Sequence, residues 1–261
     1  ISDENRKRAT RSFMKTNWCE HDGIVARYLN KHISVRISAL LANTSITPNQ
    51  MTSFAFLVAL VGIALIARGG YWAFLCGAFL LQIQSILDGC DGELARLHHQ
   101  GSRFGAWYDT VVDDVLGILM IAALGIGTYR TTGHWFWIAL NVGAAVSYAG
   151  ALGTIYFALF RAGGEGHQDF TWWFEEDNTA KEAASPSLSS WAKYCLRRDF
   201  YVLFFFVLAI CNLMLVAALF AATGAICWTA VTVIQVRKRG LAVHTLCAKN
   251  QSRATFGTMP K

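Results

Sequence analysis

The chain has 261 residues, of which 54% are hydrophobic, with a mean hydropathy of +0.35 and a formal net charge of +6 at pH 7. Apolar runs of about 17–25 residues recur along it, which is the length that crosses the hydrocarbon core of a bilayer. This arrangement favours an integral membrane protein over a soluble domain. The distribution of the positive charge favours anionic lipid over nucleic acid as a partner.

Six membrane-spanning helices and one amphipathic helix are predicted. After a basic tail at 1–21, the segment from Asp22 to Ala42 alternates apolar and basic residues at helical spacing, which is typical of a helix lying in the membrane interface. Thr47 and Pro48 supply an N-cap and a first-turn proline for the first span. The spans are predicted at 49–67, 71–98, 105–128, 135–160, 198–213 and 216–236. The membrane domain therefore covers 22–236, and a basic tail follows at 237–261.

Six spans place both chain ends on one side of the membrane, and the basic residues indicate which side. Of the 23 Lys and Arg residues, only Arg68 and Arg130 lie in loops on the opposite side. Basic loops stay in the cytoplasm. The sequence therefore predicts an inner-membrane protein whose termini, second-to-third-span turn and 161–199 loop face the cytoplasm.

Carboxylates are concentrated in the second and third spans, although an Asp at the centre of a membrane helix costs about 2.5–3.5 kcal/mol. Asp88 and Asp91 are spaced i, i+3. Asp109 and Asp113 are spaced i, i+4, with Asp114 adjacent. Because helices joined by a short turn run antiparallel, the two acidic faces are expected to meet. Two unit charges about 5 Å apart repel by roughly 3 kcal/mol at an effective dielectric near 20, so either most are protonated or cations lie among them. A set without Cys or His suits Mg²⁺ or Mn²⁺.

The residues from Asp88 to Asp113 read D-x2-D-G-x2-A-R-x8-G-x3-D-x3-D. This pattern resembles the signature of the CDP-alcohol phosphotransferases, also called CDP-alcohol phosphatidyltransferases, and the resemblance covers about residues 22–236. It implies an all-α membrane fold with six spans and an N-terminal amphipathic helix, two divalent ions and a homodimer. It also implies transfer of a substituted phosphate group from a CDP-alcohol donor to an acceptor alcohol, with release of CMP.

The resemblance implies roles for individual residues. Asp88, Asp91 and Asp109 would hold a divalent metal ion. Asp113 would lie near a second metal ion and act as the base. The CDP moiety would lie against Gly92, Ala95, Arg96 and Gly105. Small residues suit such a site because the nucleotide and pyrophosphate must approach the helix backbones.

Two further groups of residues are candidate ligands. Asn49 and Thr52, in the stretch TPNQMT, are assigned to the donor pocket, and a plain helix start is the alternative. Arg161, Arg197 and Arg198 are assigned to a phosphate on the acceptor. Anchoring of a basic loop in the cytoplasm would explain these arginines equally well.

Three stretches, QIQSILDG, GELAR and DGIVARYLNKHIS, are most like the di-myo-inositol-phosphate-phosphate synthase branch of that family. This likeness implies CDP-inositol as the donor, a phosphorylated inositol as the acceptor, and a cytidylyltransferase domain fused upstream or acting as a partner. The start at Ile1 in place of Met suits a piece of a longer chain. A phospholipid synthase that uses CDP-diacylglycerol and a polyol phosphate is the alternative.

Other classes of membrane protein also carry intramembrane carboxylates. A cation-coupled transporter predicts ionisable residues along a path across the bilayer, whereas the acids here cluster toward the cytoplasmic ends of two spans. A membrane prenyltransferase binds a diphosphate through Asp-rich motifs, but it leaves the Gly, Ala and Arg positions unexplained. The transferase is therefore favoured.

Overall fold

A computed structural model of the chain describes residues 25–42, 44–98, 101–162 and 198–239. All regular structure in these ranges is helical. A π-helical turn, Ala26–Asn30, runs directly into the first α-helix. The α-helices are α1 Lys31–Leu41, α2 Pro48–Arg68, α3 Tyr71–Leu97, α4 Arg103–Thr132, α5 Phe136–Ala162, α6 Arg198–Ile210 and α7 Met214–Arg239. The tail predicted at 1–21, most of the 161–199 loop and the chain beyond 239 lie outside the described residues.

Five of these helices are long and apolar enough to cross a membrane, namely Pro48–Arg68, Tyr71–Leu97, Phe104–Thr132, Phe136–Arg161 and Met214–Lys238. Large apolar side chains cover their outer surfaces, as at Leu57 and Val146, which are 60% and 66% exposed. A contiguous apolar surface of this kind suits lipid and not water. The fold is therefore that of an all-α integral membrane protein.

Helix α6 differs from the fifth span that the sequence predicts at 198–213. It has 13 residues and therefore spans only about 20 Å, which is short of the roughly 30 Å hydrocarbon core. The helix ends before Asn212, whose φ of 58° lies in the left-handed region that Asn tolerates better than most residues. Helix α7 then begins at Met214 and continues three residues into the predicted tail.

Local sequence signals define where α2 and α4 begin. The Thr47 hydroxyl accepts a hydrogen bond from the Gln50 N–H at 3.3 Å, and the Gln50 side chain accepts one from the Thr47 N–H at 2.9 Å. This reciprocal pair is a capping box, and Pro48 follows at the first helical position. Ser102 caps α4 by accepting a hydrogen bond from the Gly105 N–H at 3.0 Å. The predicted N-cap and first-turn proline of the first span are confirmed.

Helix α2 packs against both of the helices that carry the carboxylates, α3 and α4. In contrast, α3 and α4 make few direct backbone contacts with each other. Helix α6 packs on α3, and α7 packs on α4 and α5. The acidic faces of α3 and α4 therefore meet across a gap and not along a tight helical hairpin.

The π-helical turn and α1 bury polar as well as apolar side chains against α3. Ser34 is buried, and its hydroxyl donates a hydrogen bond to Oε1 of the buried Glu93 on α3 at 2.8 Å. Val35 beside it is also buried. The outer face is mixed, because Leu40 is 79% exposed and Arg36 is exposed as well.

Helices α2 and α3 approach each other closely at two glycines. A Cβ atom at Gly77 would lie 2.5 Å from the carbonyl oxygen of Gly62, and a Cβ atom at Gly62 would lie 2.9 Å from the carbonyl oxygen of Gly77. Small residues let membrane helices approach this closely. Because Gly77 lies about three turns before Asp88 on α3, the contact helps to position the acidic face.

We expect Gly77→Ala to lower stability by about 1–3 kcal/mol, because the added methyl group forces the two backbones apart. Thermal unfolding of the purified protein in detergent measures this as a lower Tm. Gly143→Ala on α5 is the matched control, since Gly143 is exposed and a Cβ atom there meets no atom within 4 Å. Helix propensity alone then leaves its Tm unchanged or slightly raised. Equal Tm values for the two variants would contradict the close approach.

Candidate active site

Three carboxylates from α3 and α4 converge at the gap between these helices. One oxygen atom each from Asp88, Asp91 and Asp109 lie within 4.8 Å of one another. Asp88 and Asp91 belong to successive turns of α3, and Asp109 belongs to the second turn of α4. The two acidic faces therefore meet, as the i, i+3 and i, i+4 spacings predict.

Arg198, from the first turn of α6, contributes positive charge to this group. Its Nη2 donates a hydrogen bond to Asp88 Oδ2, and its Nη1 forms an ion pair with Asp113 Oδ1. The three side chains are partly buried, with exposed fractions of 23% for Arg198, 19% for Asp88 and 27% for Asp113. One guanidinium group thus bridges α3 and α4. Asp113 contacts the cluster through Arg198, whereas the other three carboxylates meet directly.

Helix α2 contributes two polar side chains to the same place. The Thr52 hydroxyl donates a hydrogen bond to Asp91 Oδ2, and both residues are buried. A Cβ atom at Gly105 would lie 3.1 Å from Asn49 Oδ1, so the Asn49 amide lies against the first turn of α4. The structure therefore brings both residues predicted from TPNQMT to the acidic faces.

The donor atoms of the cluster fit a hard divalent cation. All of them are carboxylate oxygens, which Mg²⁺ and Mn²⁺ prefer over softer ligands. Asp109 Oδ1 is buried and has no hydrogen-bond partner among the described residues. Such an atom costs about 1–3 kcal/mol, and more when it is charged, unless a donor or cation binds it. The three carboxylates therefore form a chemically suitable metal site.

The residues after Asp91 leave an open surface beside the carboxylates. Gly92 is exposed, and a Cβ atom there would meet no atom within 4 Å. Ala95 is half-buried and Arg96 is exposed on the following turn. The end of α3 is thus accessible to a ligand next to the cluster.

The structure separates the arginines that the sequence assigns to one acceptor phosphate. Arg198 lies in the cluster. Arg161 is exposed at the end of α5, with its guanidinium carbon 5.4 Å from the centroid of the Phe157 ring. Arg197 lies outside the described residues.

Two polar contacts near the cluster are not predicted from the sequence. The Gln84 side-chain amide donates to Asp88 Oδ1 at 3.5 Å, and the i, i+4 spacing in QIQSILDG was an available signal for this pair. The Tyr156 hydroxyl on α5 donates a hydrogen bond to Asp114 Oδ2. No sequence pattern links these two residues, which are 42 positions apart.

Comparison with known proteins shows which family the helices that carry the site resemble. Residues 45–167 match the family model for CDP-alcohol phosphatidyltransferases. This range includes the whole of α2, α3, α4 and α5, together with every carboxylate of the cluster. This part of the chain, just under half of its length, is therefore similar to the CDP-alcohol phosphatidyltransferases.

Three individual proteins are similar to part of this chain. A protein of Aquifex aeolicus named bifunctional IPC transferase and DIPP synthase is 38% identical over 130 residues, which are 49% of this chain and 29% of the relative. A protein of the same name from Archaeoglobus fulgidus is 36% identical over 127 residues, which are 49% of this chain and 25% of the relative. An archaetidylinositol phosphate synthase of Pyrococcus horikoshii is 30% identical over 96 residues, or 35% of this chain and 47% of the relative. The chain thus matches less than half the length of each of these relatives.

We expect Asp109→Asn to weaken Mn²⁺ binding by more than about tenfold, because an amide oxygen replaces a charged oxygen in the cluster. Mn²⁺ titration followed by electron paramagnetic resonance measures the affinity without any substrate. Asp199→Asn is the matched control. It also removes one negative charge near Arg198, but its oxygen still accepts a hydrogen bond from the Ala26 N–H. Equal Mn²⁺ affinities in the two variants would show that Asp109 does not bind the ion.

Proposed function

We propose that this protein is a membrane transferase that moves a substituted phosphate group from a CDP-alcohol to an acceptor alcohol and releases CMP. The convergence of Asp88, Asp91 and Asp109 within 4.8 Å, inside the region that matches the family model, carries the proposal. The names of the Aquifex and Archaeoglobus relatives support synthesis of an inositol phosphodiester. The proposed donor is CDP-inositol and the proposed acceptor is a phosphorylated inositol.

Asp88, Asp91 and Asp109 are proposed to hold one Mg²⁺ or Mn²⁺ ion, with Asp113 beside a second. Divalent ions bound there neutralise charge on the pyrophosphate and on the CMP leaving group. Thr52 orients Asp91 through its hydrogen bond, since a partner of a ligating carboxylate restricts the rotation of that carboxylate.

The CDP moiety is proposed to bind where the starts of α2 and α4 meet the end of α3. Asn49, against Gly105, offers both a donor and an acceptor to the nucleotide. Gly92 leaves room for the pyrophosphate to approach the backbone of α3. The complete set of proposed donor-binding residues is Gly92, Ala95, Arg96, Gly105, Asn49 and Thr52.

Asp113 is proposed as the general base of an in-line displacement. The acceptor oxygen bonds to the β-phosphorus, the bond from that phosphorus to the CMP oxygen breaks, and the acceptor proton passes to the Asp113 carboxylate. The ion pair with Arg198 orients Asp113. Cys90 lies next to Asp91 in the sequence, but its thiol faces the Ser34 carbonyl oxygen on α1. Direct transfer therefore needs no covalent enzyme intermediate.

Arg198 is also proposed to bind a phosphate on the acceptor, with Arg161 and Arg197 as further candidates. The guanidinium of Arg198 lies between Asp88 and Asp113. A phosphate that binds there would bring its alcohol close to both the base and the metal-holding carboxylates. A guanidinium group binds phosphate well because its N–H groups match two phosphate oxygens.

A phospholipid synthase that uses CDP-diacylglycerol and a polyol phosphate is the second candidate. The name of the Pyrococcus relative, archaetidylinositol phosphate synthase, favours it. The two candidates share the metal site and the base, and they differ in the group attached to the CDP.

The proposed arrangement in the membrane has six spans, with α6 as the short one and α1 in the interface. The site and both ends of the membrane domain face the cytoplasm, which the basic residues support. The family resemblance supports a homodimer. The names of the bifunctional relatives support a cytidylyltransferase activity in the same chain or in a partner protein.

Purified protein should release CMP only when a CDP-alcohol, an acceptor and Mg²⁺ or Mn²⁺ are all present. A panel of CDP-inositol and CDP-diacylglycerol against inositol phosphate and glycerol phosphate, with mass spectrometry of the products, separates the two candidates. Absence of CMP release from every combination would overturn the transferase.

We expect Asp113→Asn to reduce kcat by about 10²–10⁴-fold, because the amide cannot accept the proton. The nearly equal size of the two side chains preserves the fold, so donor binding and the Tm should stay close to those of the unaltered protein. Single-turnover CMP release and equilibrium binding of a CDP-alcohol give the two measurements. Substantial turnover by the variant would exclude Asp113 as the base.

We expect Gly92→Leu to weaken donor binding by more than about tenfold, because the side chain enters the space proposed for the pyrophosphate. Its Tm should not fall, since a Cβ atom at Gly92 meets no protein atom within 4 Å. Gly143→Leu is the control at an equally open helix position. Unchanged donor affinity in Gly92→Leu would place the nucleotide elsewhere.

A further inference from the structure

A second carboxylate lies directly beside the proposed base. Asp114 follows Asp113 on α4, but it belongs neither to the eight-position signature nor to the group formed by Asp88, Asp91 and Asp109. Its side chain is half-buried and accepts a hydrogen bond from the Tyr156 hydroxyl on α5. An ionisable residue inside a membrane helix carries a free-energy cost and therefore usually has a function. The proposed metal site does not account for this carboxylate.

Further phenol groups surround the same carboxylate. Tyr148 lies two turns before Tyr156 on α5, and a Cβ atom at Gly117 would lie 3.7 Å from its ring. Tyr148 is within electrostatic range of Asp114 and Tyr201, and Tyr201 is within electrostatic range of Arg198. Helices α5 and α6 therefore bring further hydroxyl groups into the neighbourhood of Asp114, which the Tyr156 hydroxyl contacts directly.

The chemistry of this group fits a molecule with several hydroxyl groups. An ionised carboxylate only accepts hydrogen bonds, whereas a phenol both donates and accepts them. The hydroxyl groups of a polyol also do both, so they match this mixture. The Trp107 ring, with its centroid 5.7 Å from that of Tyr156, adds an apolar surface for the C–H bonds of a polyol. Arg198, which forms an ion pair with the adjacent Asp113, offers a guanidinium group for a phosphate on the same molecule.

We propose that Asp114, Tyr156 and Tyr148 form the hydroxyl-recognition site for the acceptor, which is a phosphorylated polyol. They bind hydroxyl groups other than the attacking one and hold the attacking hydroxyl beside Asp113. This inference rests on the proposed transferase function and names residues that set its acceptor specificity. A buried site built to bond a hydroxyl group rejects an analogue that lacks it, because the polar groups of the site are then left unpaired.

Tyr156→Phe and Asp114→Asn test the proposal. The first removes the hydroxyl but keeps the ring, and the second keeps an oxygen that can accept from Tyr156. We expect the KM for inositol 1-phosphate to rise about tenfold in each variant. The preference for inositol 1-phosphate over glycerol 3-phosphate should fall by a similar factor. The KM for the CDP-alcohol and the Mn²⁺ affinity should stay within about twofold of the unaltered protein. Tyr129→Phe, at the opposite end of α4, is the matched control and should change none of these values.

The outcomes separate specificity from a structural role. An unchanged acceptor KM and preference in both variants would overturn the proposal. A parallel loss of Tm, Mn²⁺ affinity and donor binding would also overturn it, because it would show that the pair only holds α4 against α5.

A binding measurement with the acceptor alone tests the hydroxyl-recognition site independently of the transferase activity. Isothermal titration of inositol 1-phosphate without any donor should show binding that Tyr156→Phe weakens about tenfold. If the unaltered protein releases no CMP from any donor, the transferase fails, and this titration still decides the inference. No binding by the unaltered protein, or equal binding by the variant, would overturn the hydroxyl-recognition site.

Discussion

Repulsion between like charges is the constraint on which the candidate site depends. Three carboxylates of α3 and α4 meet directly and a fourth joins them through Arg198. Two such charges about 5 Å apart repel by roughly 3 kcal/mol even at an effective dielectric near 20. Arg198 offsets part of this repulsion because it bridges Asp88 and Asp113. The remaining oxygens, including the buried Asp109 Oδ1, form a site whose charge favours a divalent ion. The same repulsion that opposes folding without a cation therefore provides affinity for one.

The region that matches the family model does not contain the whole site. The match ends at residue 167, whereas Arg198 lies in α6 beyond it. The match therefore includes the three carboxylates that meet and leaves out their main cationic partner.

Much of the fold and of the acidic cluster can be predicted from the sequence, because hydropathy, capping residues and helical spacing are local properties. Thr47 and Pro48 begin α2 where the sequence indicates, and Asp88, Asp91 and Asp109 meet. The contact of Arg198 with Asp88 depends on packing between residues 110 positions apart, which no local pattern encodes. The gap between α3 and α4 is not predicted from the sequence either. It arises because α2 packs against both helices. The length of α6 is also misjudged, because its apolar run continues past the point where Asn212 turns the chain.

The N-terminal segment made of the π-helical turn and α1 ties two parts of the site together. Ser34 bonds to Glu93 on the back of α3, and the Ala26 N–H donates a hydrogen bond at 2.8 Å to Asp199, the residue after Arg198. This one N-terminal segment is therefore anchored both to the acid-bearing α3 and to the start of α6. A substitution that displaces it would change the spacing between the Arg198 guanidinium group and the carboxylates, although the segment itself supplies none of these groups.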